Sequence, residues 1–126
     1  MKAVVLRVPS APAFVHFLGA HAAGLGARAG LTIDAIDDIR LAIDEAAACL
    51  LDHVGNHSEF VLEIMPRGDG LEAHLLLDGR FEEWPPPELE SELARKVLVA
   101  LSDEVSFEVR GDSAAIRIFK KSGTDL

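Results

Sequence analysis

Apolar residues between Leu31 and Val54 recur at the spacing of one long helix. At 100° per residue Ile36, Ile39, Ile43, Ala46, Ala47, Leu50 and Val54 share a face, the pattern of a helix lying on a sheet. Thr32 is placed to cap this helix, with Leu31 and Ile36 as a hydrophobic staple across the cap. Asp34, Asp37 and Asp38 suit the positive end of its dipole, and Gly55-Asn56 stops it, so a helix is expected over about 33–54. Upstream, Phe14, Phe17, Leu18, His21 and Leu25 recur at i, i+3, i+4, i+7 and i+11 and predict a first helix, with Ser10 as its cap and Gly30 at its C′ position. Gly19, Gly24 and Gly26 each cost it about 1 kcal/mol relative to alanine, so packing must hold its second half. The same glycines leave room for another chain to come close.

Around these helices the pattern is that of strands. Residues 2–8 are β-branched and alternate imperfectly, as a strand closed by Pro9. Residues 60–65 and 71–77 predict a hairpin across Pro66-Arg-Gly-Asp-Gly70, and Asp78-Gly79 ends its second strand. A loop over 80–87, pinned by Phe81 and Trp84, leads into a helix over 88–101 with Leu89, Leu93, Val97, Ala100 and Leu101 on one stripe. Strands over 104–110 and 114–120 follow, turning at Gly111-Asp112-Ser113. This order lacks the strict strand-helix alternation of a parallel fold. It predicts an α+β architecture, a two-layer sandwich with one mixed or mostly antiparallel sheet and helices on one face. Glu63, Glu72, His74, Glu108 and Arg117 are candidates for the sheet's outer face.

Composition narrows the setting. A chain of 126 residues, 49% hydrophobic, is the size of one domain spanning 1–126. Its net charge of −9 argues against sequence-independent nucleic-acid binding, which needs clustered Lys and Arg, and suits a basic protein partner. One cysteine allows no internal disulfide, and no apolar run approaches the roughly 18 residues of a membrane span, so a cytoplasmic, soluble protein is expected. His16 and His21, five apart, do not share one helical face and are expected at the surface or in a groove.

The candidate chemistry lies on the other side of the 33–54 helix. Glu45, Cys49, Asp52 and His53 line up there, bordered by Leu41, Ala42 and Ala48. Taken alone, Cys49 reads as a small core residue, since free cysteine is buried far more often than it is a nucleophile. The run from Asp37 to His53 resembles the N-box helix of the GHKL (histidine-kinase-like) ATPases, in their RsbW- and SpoIIAB-like branch of anti-sigma factors and serine-protein kinases. Glu45, Cys49 and His53 stand where that family has ExxxNxxxH, and the passage from Leu98 to Val109 is similar to the helix-to-strand segment that closes the family's domain.

The resemblance implies Glu45 as a general base toward water or a partner's serine, position 49 as a Mg²⁺-holding site on ATP, and Asp78-Gly79 as the start of the adenine box. Cys49, His53, Asp78 and Gly79 would then line an ATP pocket. Several residues depart from that pattern. A thiol at position 49 is a poor Mg²⁺ ligand, and Arg80 and Glu82 replace the box's glycines. The expected glycine-rich lid has no glycine but three prolines and Glu82, Glu83, Glu88, Glu90 and Glu92, which repel a triphosphate. The expectation is therefore an anti-sigma-type regulator of transcription, a homodimer using its first strand and helix. It binds a sigma factor and an anti-anti-sigma (STAS) partner, with ATP and Mg²⁺ binding weakened or lost. An active ATP-dependent serine-protein kinase and a degenerate scaffold or small-ligand sensor are the alternatives.

Overall fold

The computed structural model describes residues 3–123, apart from the side chains of Glu90 and Ser91. Lys2, expected in the first strand, lies outside the described residues. The elements follow the order β1 (Val4–Pro9), α1 (Pro12–Arg28), α2 (Ile33–His53), β2 (Glu59–Arg67), β3 (Gly70–Asp78), a 3-10 turn (Pro87–Ser91), α3 (Leu93–Leu101), β4 (Glu104–Arg110) and β5 (Ser113–Lys121). The strands form one five-stranded sheet in the order β1-β2-β3-β5-β4, antiparallel at every pairing. This is the expected α+β sandwich, with the sheet's mixed character resolved as antiparallel throughout.

Period-two burial sets the two faces of the sheet. Phe60, Leu62 and Ile64 of β2, Leu71, Ala73, Leu75 and Leu77 of β3, and Ala114, Ile116 and Ile118 of β5 join the core beneath the helices. The opposite face carries a charged network. Arg117 donates to Glu72 (2.9 Å), Glu104 (3.1 Å) and Ser106 (3.1 Å), and His74 meets Glu72 at 3.0 Å. These contacts link β3, β4 and β5 where no helix covers them.

Helix α2 lies over β3 and β5 and is buried on more than the predicted stripe, because α1 and α3 pack on its flanks. Ile39, Ile43, Ala46, Ala47 and Leu50 are buried as the periodicity predicts, and so are Ala35, Ala42 and Cys49. Thr32 caps it, its hydroxyl accepting from the Ala35 N–H at 3.2 Å. Before it, Gly30 (φ 84°) sits at C′ of α1, with Gly30 N–H bonded to Ala27 O and Leu31 N–H to Gly26 O, the paired bonds of a Schellman ending. Ser10 does not cap α1. The helix begins at Pro12 with no side-chain cap, and the Ser10 hydroxyl is 2.7 Å from His57 Nδ1 instead.

The predicted helix over 88–101 is divided into the 3-10 turn and α3 at Glu92, whose extended backbone (ψ 149°) breaks the helical path. The glycines of α1 also divide. A Cβ on Gly19 would lie 2.5 Å from Asp44 Oδ1, so that glycine admits α2 of the same chain, whereas Gly24 faces open space. Gly24→Ala is therefore expected to stabilise the fold by about 0.5–1 kcal/mol, read as a higher urea midpoint with an unchanged slope.

Candidate functional site

The C-terminal half of α2 meets the 55–59 and 79–92 segments at the end of the sheet, and every residue singled out by the resemblance lies there or one or two turns away. Cys49 is 2% exposed. Burial first, then the Glu92, Asp52 and Glu45 carboxylates, push its thiol up to about 12. The thiol is therefore held in its protonated form at neutral pH, the form that is a poor nucleophile. Cys49 belongs to the core, as its reading as a small buried residue has it, and α3 packs against α2.

His53 closes α2. Its Nδ1 is 2.8 Å from the Cys49 carbonyl oxygen and its Nε2 is 3.4 Å from Glu92 Oε1. The ring stands edge-on to Trp84, with centroids 5.9 Å apart. Glu45, a turn above Cys49, is half-buried and makes no hydrogen bond or ion pair among the described residues.

Asp78 and Gly79 are both taken up by structure. The hairpin register opposes Phe60 to Leu77 and so brings the end of β3 beside the entry to β2. Asp78 Oδ1 accepts from the Ser58 N–H (3.0 Å) and the Glu59 N–H (2.8 Å), and Oδ2 accepts from the Ser58 hydroxyl. Burial works to raise this carboxyl's pKa, but those three donors outweigh it and hold the group below its ordinary value of 3.8. Beyond it, Arg80 and Gly55 exchange both backbone hydrogen bonds, at 2.8 and 2.5 Å. Gly79 (φ 148°) lies against this bridge, where a Cβ would come within 2.4 Å of Gly55 O.

Trp84 fills the interior of this corner. It is 7% exposed, donates its Nε1–H to Ala115 O of β5 at 3.1 Å, and stands edge-on to Phe107 of β4 at 5.9 Å. Leu89, 1% exposed, adds a second anchor from the 3-10 turn. Outside the plug lies an open cleft of about 480 Å³, lined by Asp52 and His53 and by residues 80–83 and 86–88. Its carboxylates are Asp52, Glu82, Glu83 and Glu88, and its fixed cation is Arg80.

No family model matches the chain, and no curated protein matches it. The donors present can still be weighed against Mg-ATP. A protonated, buried thiol offers Mg²⁺ nothing, Asp78 has both oxygens engaged by neighbouring donors, and the cleft presents carboxylates to phosphate charge. The site residues do not fit that group as they stand, and no catalytic step follows from them.

Periodicity could not reveal the Trp84–Ala115 bond or the His53–Glu92 pair, which join residues 31 and 39 positions apart. Asp78 was within reach, since the hairpin register alone places it opposite Glu59. Cys49→Asn, which restores the N-box amide, is expected to cost about 1–3 kcal/mol by burying a carboxamide in an apolar site. Wild-type Cys49 is expected to react with a thiol reagent only on unfolding; rapid labelling of the native protein would contradict its burial.

Proposed function

We propose that this chain is a protein-binding regulator of the anti-sigma type, built on a GHKL-like fold whose nucleotide corner has become a structural joint. The observation that carries this reading is the Trp84 plug, because an indole bonded to β5 and packed between His53 and Phe107 occupies the ground beneath the end of α2. The resemblance of the Glu45–Cys49–His53 helix supplies the family, and the net charge of −9 supplies a preference for a basic partner such as a sigma factor.

Surface features near the N-terminal elements support binding there. Phe14 and Phe17 of α1 are 39% and 50% exposed, with ring centroids 6.2 Å apart, and Val4 and Val5 are exposed on β1. β1 is an edge strand. The Ser10 N–H bonds Ser58 O, so alternation along the ladder turns the backbone groups of Val5 and Arg7 to the open edge. Pro9, which shares that parity, has no N–H to offer, leaving a short edge for a second copy to extend.

Calorimetry with purified sigma and STAS proteins from the same genome tests the reading. Binding is expected, weakened at least tenfold by Phe14→Ser with Phe17→Ser at unchanged unfolding midpoint, while millimolar Mg-ATP gives no heat. Light scattering is expected to give twice the 13.5 kDa chain mass. A serine-protein kinase is the second reading, favoured by Glu45, which is half-buried and unbonded among the described residues. ATP heat together with a phosphoserine on the STAS protein would establish it and displace the first.

A further inference from the structure

We propose that His53 is a pH-dependent latch: the doubly protonated ring ties the end of α2 to the start of α3 and holds the 79–92 segment in place, and the neutral ring releases it. Both contacts together favour the charged form. The Cys49 carbonyl can only accept, so the nitrogen 2.8 Å from it, Nδ1, must carry a hydrogen. An ionised Glu92 can likewise only accept, so the Nε2 that lies 3.4 Å from it bonds the carboxylate only when it carries one too. A neutral ring protonated at Nδ1 would turn a lone pair toward the carboxylate. Only the imidazolium makes both contacts attractive.

The latch sits where its release has mechanical consequence. Glu92 is the residue at which the 3-10 turn ends and α3 begins, and His53 also borders the Trp84 ring that pins the same segment. The charged groups around it are Asp52 and, two turns back, Glu45 on α2, Glu92 from the α3 cap, and Arg80, Glu82, Glu83 and Glu88 around the cleft. β4 and β5 contribute Phe107 and Ala115 beneath Trp84, which carry no charge.

Burial acts to lower the His53 pKa. The Cys49 hydrogen bond, the Glu92 carboxylate and Asp52 together outweigh it, and the group ends above its ordinary value of 6.5. A raised pKa means that the stabilisation is complete below that ordinary value and is lost as pH rises through the folded-state value. The latch therefore closes on the acid side and opens on the alkaline side, whatever protein the chain binds.

The test is a pH titration of the full chain by ring ¹⁵N–¹H NMR, read beside the emission of Trp84, the sequence's one tryptophan. The expected results are a neutral form protonated at Nδ1, a midpoint above 6.5, and a drop of about half a pH unit or more in Glu92→Gln. Trp84 emission should change at the same midpoint and lose that step in His53→Gln. Amide exchange through 88–92, corrected for intrinsic pH dependence, should rise severalfold across the midpoint in wild type and much less in Glu92→Gln. A neutral form protonated at Nε2, a midpoint indifferent to Glu92→Gln, or a Trp84 step that survives in His53→Gln would each overturn the latch. Should His53→Gln fail to fold, the Glu92→Gln titration decides alone.

Discussion

Trp84→Ala is expected to remove about 3–5 kcal/mol of folding stability, a large share of the roughly 5–15 kcal/mol typical of a domain. The indole is buried between two other rings, so its loss leaves a cavity that the β-sheet cannot close by moving. The substitution also leaves Ala115 O without its 3.1 Å donor. Trp84→Phe separates these contributions, since it keeps most of the packing and should cost about 1 kcal/mol, chiefly for the lost indole hydrogen bond. Urea unfolding of both variants provides the measurement. A loss below about 1 kcal/mol for Trp84→Ala would mean that the indole is not structural, and the corner would again be available to a ligand.

The same residue shows how far sequence reasoning reaches. That Trp84 pins its loop is legible from an indole set among prolines and glutamates, because so large an apolar ring seldom stays in water. Its destination on β5 is not legible, since the bond spans 31 residues and leaves no periodic trace. Helix α2 divides in the same way. Its cap, its buried stripe and its end follow from local spacing, and the structure has them at Thr32, at Ile39 to Leu50 and at His53. The burial of Cys49 agrees with its reading as a small core residue, but that α3 is the neighbour on this flank is not legible, because helical periodicity counts residues on one element and takes no account of another. Glu92 supplies the complementary case. The sequence shows it only as one of the five glutamates between Glu82 and Glu92, whereas the fold sets it against His53 and breaks a predicted helix at that point.

Gly79→Ala is expected to destabilise the chain by roughly 2–5 kcal/mol, from two sources that add. Its φ of 148° is a backbone conformation that side chains rarely adopt, and a Cβ there would meet Gly55 O at 2.4 Å and Val54 Cγ1 at 2.6 Å. Neither neighbour can step aside cheaply. Gly55 is held by the two-way bridge to Arg80, and Val54 is 4% exposed at the end of α2. Gly68→Ala is the control, because Gly68 also has positive φ (57°) but nothing within 4 Å of an added Cβ, and should cost only about 1–2 kcal/mol. The comparison also separates two accounts of this glycine. In an adenine box its use is to let a ligand approach the backbone, and a methyl group would then impair binding while leaving urea midpoints near wild type. Here the approaching group is the chain itself, so the midpoint should fall well below that of Gly68→Ala. Equal midpoints for the two variants would restore the ligand-binding account.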